Sequence, residues 1–200
     1  MCLHRNLLMV LMASLFIGCA HPIVITPDVS KLDRNEVQPI PCNVGYVVTD
    51  ADRETAVETP GGGGDKVKYY PYKELEPALF KVLSNVFQRA YLMKSQTDAS
   101  LVKANDIRFI FVPTIRTESS STGFLTWPPT DFKVELACKA INPEGKIIWE
   151  KTVSGTGHAE FAEFKTDMPL ASKRASLEAL QNFQRELNSA AELRAQLPKP

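Results

Sequence analysis

The order of apolar patterns along this chain, βαβββα, predicts an α/β (α+β) fold: a two-layer sandwich with two amphipathic helices on one face of a sheet of about four strands. Three observations carry that reading. Phe132, Val134, Leu136, Cys138 and Ala140 alternate with Lys133, Glu135, Ala137 and Lys139, the period-two mark of a half-buried strand. Helical spacing occurs twice, in Leu75, Leu79, Val82, Leu83, Val86 and Ala90 and again in Leu177, Leu180, Phe183, Leu187, Ala190 and Ala191. Residues 107–112 are apolar on both parities, as in a strand covered on both faces.

Composition is consistent with one globular domain: 200 residues, 44% hydrophobic, with 23 basic and 23 acidic side chains, far from fibrous or disordered extremes. A net charge of zero supplies no basic footprint for phosphate backbones, so nucleic acid is not an expected partner.

From the N-terminus, residues 1–18 read as a targeting signal. His4 and Arg5 precede an apolar run over 7–17 interrupted only by Ser14. Eleven helical residues at about 1.5 Å each reach about half of a hydrocarbon core roughly 30 Å thick, which favours a secretory signal over a spanning helix. The run closes in Leu15-Phe16-Ile17-Gly18-Cys19-Ala20, which resembles the bacterial lipobox, in which the cysteine is diacylated and becomes the new N-terminus. Leu stands four residues before Cys19 where the pattern usually places it three before. The alternative is ordinary cleavage that leaves Cys19 a free thiol. Two acyl chains anchor a protein stably, and the resemblance to enteric lipoprotein sorting implies, from Ala20 after the cysteine, an outer-membrane lipoprotein facing the periplasm. Removal of 1–18 takes Arg5 away and leaves 182 residues with a formal charge of −1.

Residues 19–41 contain Pro22, Pro27, Pro39 and Pro41 and read as a tether with about 60 Å of reach, although Ile23-Val24-Ile25 is also compatible with an edge strand. The domain is expected over 42–197. It opens with a strand over 43–49 and a polar stretch leading to four glycines at 61–64, which read as a surface loop. The Walker pattern is not met, because Lys66 follows Asp65 and precedes Val67. Residues 72–92 form the first helix, starting near Leu75 so that Pro77 falls in its first turn. A weaker helical segment covers 98–104, and Pro113 after the next strand argues for a bulge or an edge. Asn142-Pro143-Glu144-Gly145 makes a turn between the alternating strand and its partner over 146–156. The last helix covers 170–197 and stops at Pro198.

With the lipobox, the proline-containing tether and this element order over about 42–192, the chain resembles the small periplasmic lipoproteins related to YajG. More distantly it resembles LptE-like lipopolysaccharide-assembly lipoproteins and the auxiliary lipoproteins of ABC transporters and secretion channels. The resemblance implies a non-enzymatic accessory docked on a larger envelope machine and carries over no site residue except Cys19.

Four candidates for chemistry follow from residue types. Cys42 and Cys138 both share parity with apolar neighbours and are the pair left in an oxidising compartment. A bridge would close almost a hundred residues and contribute roughly 4 kcal/mol, the alternative being two separate buried thiols. Phe124, Leu125 and Trp127 stand in a loop of turn formers, either packing back onto the domain or forming a partner or membrane contact. His21 and His158 have no second ligand at metal spacing, so no metal and no cofactor are expected. No Gly-x-Ser-x-Gly elbow is present, and the chain is read as no enzyme. Glu160, Glu163 and Asp167 read as a solvated connection that caps the last helix. The functional expectation is therefore a lipid-anchored accessory whose partners are the membrane, through its acyl chains, and an envelope secretion, transport or cell-wall complex. The alternative is a periplasmic carrier of a lipid or other amphiphile, which would need an apolar cavity beneath the helices.

Overall fold

The computed structural model describes residues 20–33, 38–123 and 126–197. In chain order its elements are β1 (Ala20–Pro22), β2 (Ile40–Val47), α1 (Asp50–Glu54), β3 (Val57–Pro60), β4 (Lys66–Tyr69), α2 (Pro71–Val86), β5 (Phe87–Met93), α3 (Ala99–Ala104), β6 (Ile107–Ser120), β7 (Asp131–Ile141), β8 (Ile147–His158), α4 (Phe161–Phe164), α5 (Leu170–Ser189) and α6 (Ala191–Ala195). They form a mixed α+β fold with two sheets, a five-stranded one in the order β5-β2-β6-β7-β8 and a three-stranded one in the order β1-β4-β3. The expected sheet of about four strands is thus an undercount.

The antiparallel meander β6-β7-β8 follows the expected hairpin. Asp131 pairs with His158 and Ala140 with Trp149, while Gly145 takes a φ of 83° and donates its N–H to Asn142 O at 2.9 Å. The expectation for residues 107–112 also holds, since Ile107, Phe109, Ile110 and Phe111 are all buried. Pro113 is tolerated because β2 pairs with β6 only as far as Phe111, leaving that flank of the sheet unpaired beyond it.

The parallel half departs from expectation. Helix α2 ends at Val86 and the chain turns directly into β5, which pairs in parallel with β2. Val86 and Ala90 preserve the helical spacing, but burial of Phe87 and Met93 against the sheet decides the local structure. The helix also begins earlier, with Pro71 in its first turn and Pro77 inside it. Glu74 holds that start, its carboxylate accepting the N–H of Tyr70 at 2.9 Å and of Ile25 at 2.6 Å. Arg53 of α1 grips Glu76 of α2 with two hydrogen bonds of 2.6 and 2.7 Å.

The segment read as a tether is docked from Ala20 to Leu32. Ala20, His21 and Pro22 pair with Lys66, Val67 and Lys68, and the side chains of Ile25 and Leu32 are 0% and 1% exposed. Asn85 Nδ2 donates to Leu32 O at 2.8 Å and Gln184 Nε2 to Asp33 O at 2.7 Å. Apolar side chains at 23, 25 and 32 lower their free energy by burial against the helices, which an extended tether forgoes. The strand reading of 23–25 comes close, because Ile23 N–H continues the β1 ladder to Lys68 O.

Helices α2 and α5 lie on one face of the large sheet, and the layer between is filled. Phe87, Phe111, Trp149 and Phe183 form a chain of ring contacts at 5.3, 6.4 and 6.1 Å. On the other face α3 covers a smaller cluster of Val47, Met93, Ile107, Ile110 and Ile141. Helix α5 approaches β8 very closely: a Cβ added at Gly155 would stand 2.2 Å from Ala175 O, and one at Gly157 2.0 Å from Ala171 O.

Candidate functional site

The end of the molecule where the chain enters the fold gathers its aromatic and ionic groups. His21, one residue into β1, stacks on Trp127 with ring centroids 4.3 Å apart and planes inclined by 20°, and its Nε2 lies 3.3 Å from Asp65 Oδ2. The glycines explain why Trp127 can reach it. Gly62 N–H donates to Trp127 O at 2.9 Å, and a Cβ on Gly62 would stand 1.7 Å from Thr126 O. The run at 61–64 is therefore the tight turn of the β3-β4 hairpin and a platform for the Trp127 backbone, where a free surface loop was expected. Hydroxyls of Thr59, Tyr69, Thr117 and Ser119 link the small sheet to β6, with distances of 3.2, 2.7 and 2.6 Å.

Beside this platform the ends of β7 and β8 carry an ionic cluster that sequence patterns did not reveal. His158 Nδ1 lies 2.7 Å from Asp131 Oδ1 and its Nε2 3.0 Å from Glu160 Oε1. Both carboxylates raise the His158 pKa above its ordinary value, the Asp131 hydrogen bond most. Arg174 of α5 binds Glu163 through both terminal nitrogens and holds that carboxyl down at about 2. Thus Glu163, expected to cap the last helix, is an ion-pair partner of that helix. An open groove of about 440 Å³ lies along Glu118, Ser119, Asp131, Lys133, Thr156 and His158. When protonated, the imidazole donates from both ring nitrogens, one to each carboxylate. Among the described residues no group of three or more His, Cys, Asp and Glu side chains is placed to hold a metal ion.

Cys19 lies outside the described residues, as do Phe124 and Leu125. Trp127 is half-buried and packs against the cluster containing Val67 and Phe132. Cys42 and Cys138 are buried free thiols, the second of the two alternatives open to the pair. They share a face, but β6 separates their strands, two spacings of about 4.8 Å, beyond the reach of a disulfide. They are also staggered along the strands, since Asn43 pairs with Ile107 whereas Cys138 pairs with Pro113. Burial pushes the Cys42 thiol up to about 11 and that of Cys138 up as well.

No family model matches the sequence, and no curated protein matches it. Solved structures do. The crystal structure of protein XCC0632 from Xanthomonas campestris, of the DUF330 family, is similar with a TM-score of 0.51 at 13% identity, over 90% of this chain and 95% of that one. A candidate neuraminyllactose-binding hemagglutinin homologue from Helicobacter pylori gives a TM-score of 0.49 at 11% identity, over 77% and 86%. A candidate lipoprotein from Caulobacter crescentus gives 0.32 at 14% identity, over 53% and 83%. The likeness to XCC0632 is one of fold and stops short of the YajG-like family. No helix among the described residues is long and apolar enough to cross a membrane.

Proposed function

We propose that the chain is a lipid-anchored lipoprotein on the periplasmic face of the bacterial outer membrane, acting as a non-enzymatic accessory of an envelope secretion, transport or cell-wall complex. The observation that carries this reading is the lipobox-like run ending in Cys19, placed directly before a folded α+β domain. The filled layer between helices and sheet supports an accessory over a carrier of amphiphiles. Strand β5 ends the large sheet on one side and offers a backbone edge to a partner, whereas the outer edge of β8 is taken at Ser154, Thr156 and His158 by Asn182, Glu178 and Arg174 of α5.

Growth with a palmitate analogue tests the anchor: the wild type is expected to take up label and Cys19→Ser to lose it. An unlabelled wild type, or a labelled Cys19→Ser variant, would overturn it. Crosslinking in intact cells with mass spectrometry of captured chains tests the accessory role, and recovery of lipid without any protein partner would point to the carrier.

A further inference from the structure

The chain enters the fold without slack. β1 begins at Ala20, the residue after Cys19, and Ala20 pairs with Lys66. Paired strands lie about 4.8 Å apart, so Lys66 is one strand spacing from Ala20, which follows Cys19 in the sequence. His21 comes next and carries Trp127 stacked upon it. The open end of the meander closes over the same place: Ser119 Oγ donates to Pro60 O, and Ala159 N–H to Thr130 O. Two residues beyond Ala159, Phe161 is 62% exposed, the highest value among the exposed large apolar side chains described.

The charges here are mixed: beside Phe161 the carboxylates of Asp131, Glu160 and Glu163 are paired with His158 and Arg174. Lys66 is exposed and paired with the uncharged Pro60 and Ala20. Asp65 is engaged by His21, and Glu58 lies opposite Lys68. Indole rings favour the boundary between headgroups and acyl chains, exposed phenyl rings gain by burial there, and lysines are drawn to anionic headgroups.

We infer that the end formed by His21, Lys66, Trp127 and Phe161 is a membrane-contact surface, resting in the headgroup layer of the bilayer that holds the anchor. This rests on the reading of Cys19 as acylated. The occupant follows from chain length: one peptide step separates Cys19 from a paired strand, which leaves no room for the domain to stand clear. The turn at Asn142-Pro143-Glu144-Gly145 then points away, because Asp131 to Ile141 spans ten residue steps, about 34 Å.

The test uses the full mature protein, acylated in the cell, purified in detergent and reconstituted into vesicles of phosphatidylethanolamine and phosphatidylglycerol. An environment-sensitive fluorophore is placed at Lys66→Cys or, at the far end, at Glu144→Cys; the buried thiols of Cys42 and Cys138 do not compete. The Lys66 label is expected to shift to the blue and lose quenching by aqueous iodide on reconstitution, while the Glu144 label keeps its aqueous emission. An acylated protein whose Lys66 label stays aqueous, or whose two labels shift alike, overturns the contact surface and leaves the anchor standing. A mass spectrum without acyl chains overturns the reading of Cys19, and the contact surface with it.

Discussion

Both attachments to the helical layer carry side-chain-to-backbone clips, but only that of β8 adds close backbone approach. Strand β8 meets α5 by backbone approach, Gly155 and Gly157 lying under Ala171, Ala175 and Ala179 with no room for a side chain between them. The N-terminal segment meets α2 and α5 through polar clips, Glu74 to Ile25, Asn85 to Leu32 and Gln184 to Asp33, around the buried side chains of Ile25 and Leu32. The first mode is rigid and intolerant of volume, the second local and separable. Each can be broken alone.

The largest expected effect is at Gly155→Ala. Its methyl group meets Ala175 O and Ala179 N, backbone atoms that cannot rotate away, so overpacking should cost about 3 kcal/mol or more. A denaturant titration should show the midpoint falling, with hydrogen exchange rising across the whole meander and α5. Asn85→Ala comes next. It strands Leu32 O and Gln184 Oε1, both buried partners of its amide, and should cost about 2 kcal/mol. Here hydrogen exchange should rise mainly over residues 20–33, and equal loosening of the meander would refute the separability of the two attachments.

A smaller effect concerns pH. The folded pKa of His158 lies above its unfolded value of 6.5, so its contribution is complete below that value and is lost as pH rises through the raised one. Glu163 behaves inversely: its folded pKa of about 2 lies below 4.5, so its contribution is present above 4.5 and lost as pH falls towards 2. Both groups are exposed and the effects should be slight. His158→Gln should flatten the alkaline arm of a stability-against-pH curve and weaken the acid arm slightly, because His158 also holds the Asp131 carboxyl below its ordinary value; an unchanged alkaline arm would contradict the assignment. The smallest expectation is no effect at all: Cys42 and Cys138 should react with a thiol reagent only in denaturant, and gel mobility should not respond to reductant.

Legibility in the sequence followed the same division. The meander could be read because Phe132 to Ala140 alternates against a covering helix, so side-chain period and burial agree. In the parallel half β2 and β6 could be read but β5 could not, because Val86 and Ala90 continue a helical spacing into a strand; the small sheet was missed because strands of three or four residues are too short to show a period. At the candidate site, Trp127 was visible as a large ring among turn formers. Its stacking on His21 was not, since the two are brought together only by the glycine turn between them in space. The close packing of α5 on β8 had a signal in Gly155 and Gly157, since glycine within a strand marks a place where another backbone approaches closely.

The docking of the first segment against the last long helix also sets an order of events. Gln181 Nε2 donates to Lys31 O and Gln184 Nε2 to Asp33 O, groups 150 and 151 positions apart. Residues made first wait for residues made last, so the core cannot close on a growing chain until α5 has emerged. On the proposed route through an export pore, that delay would keep the chain loose for as long as threading requires and make completion of the fold coincide with release on the far side.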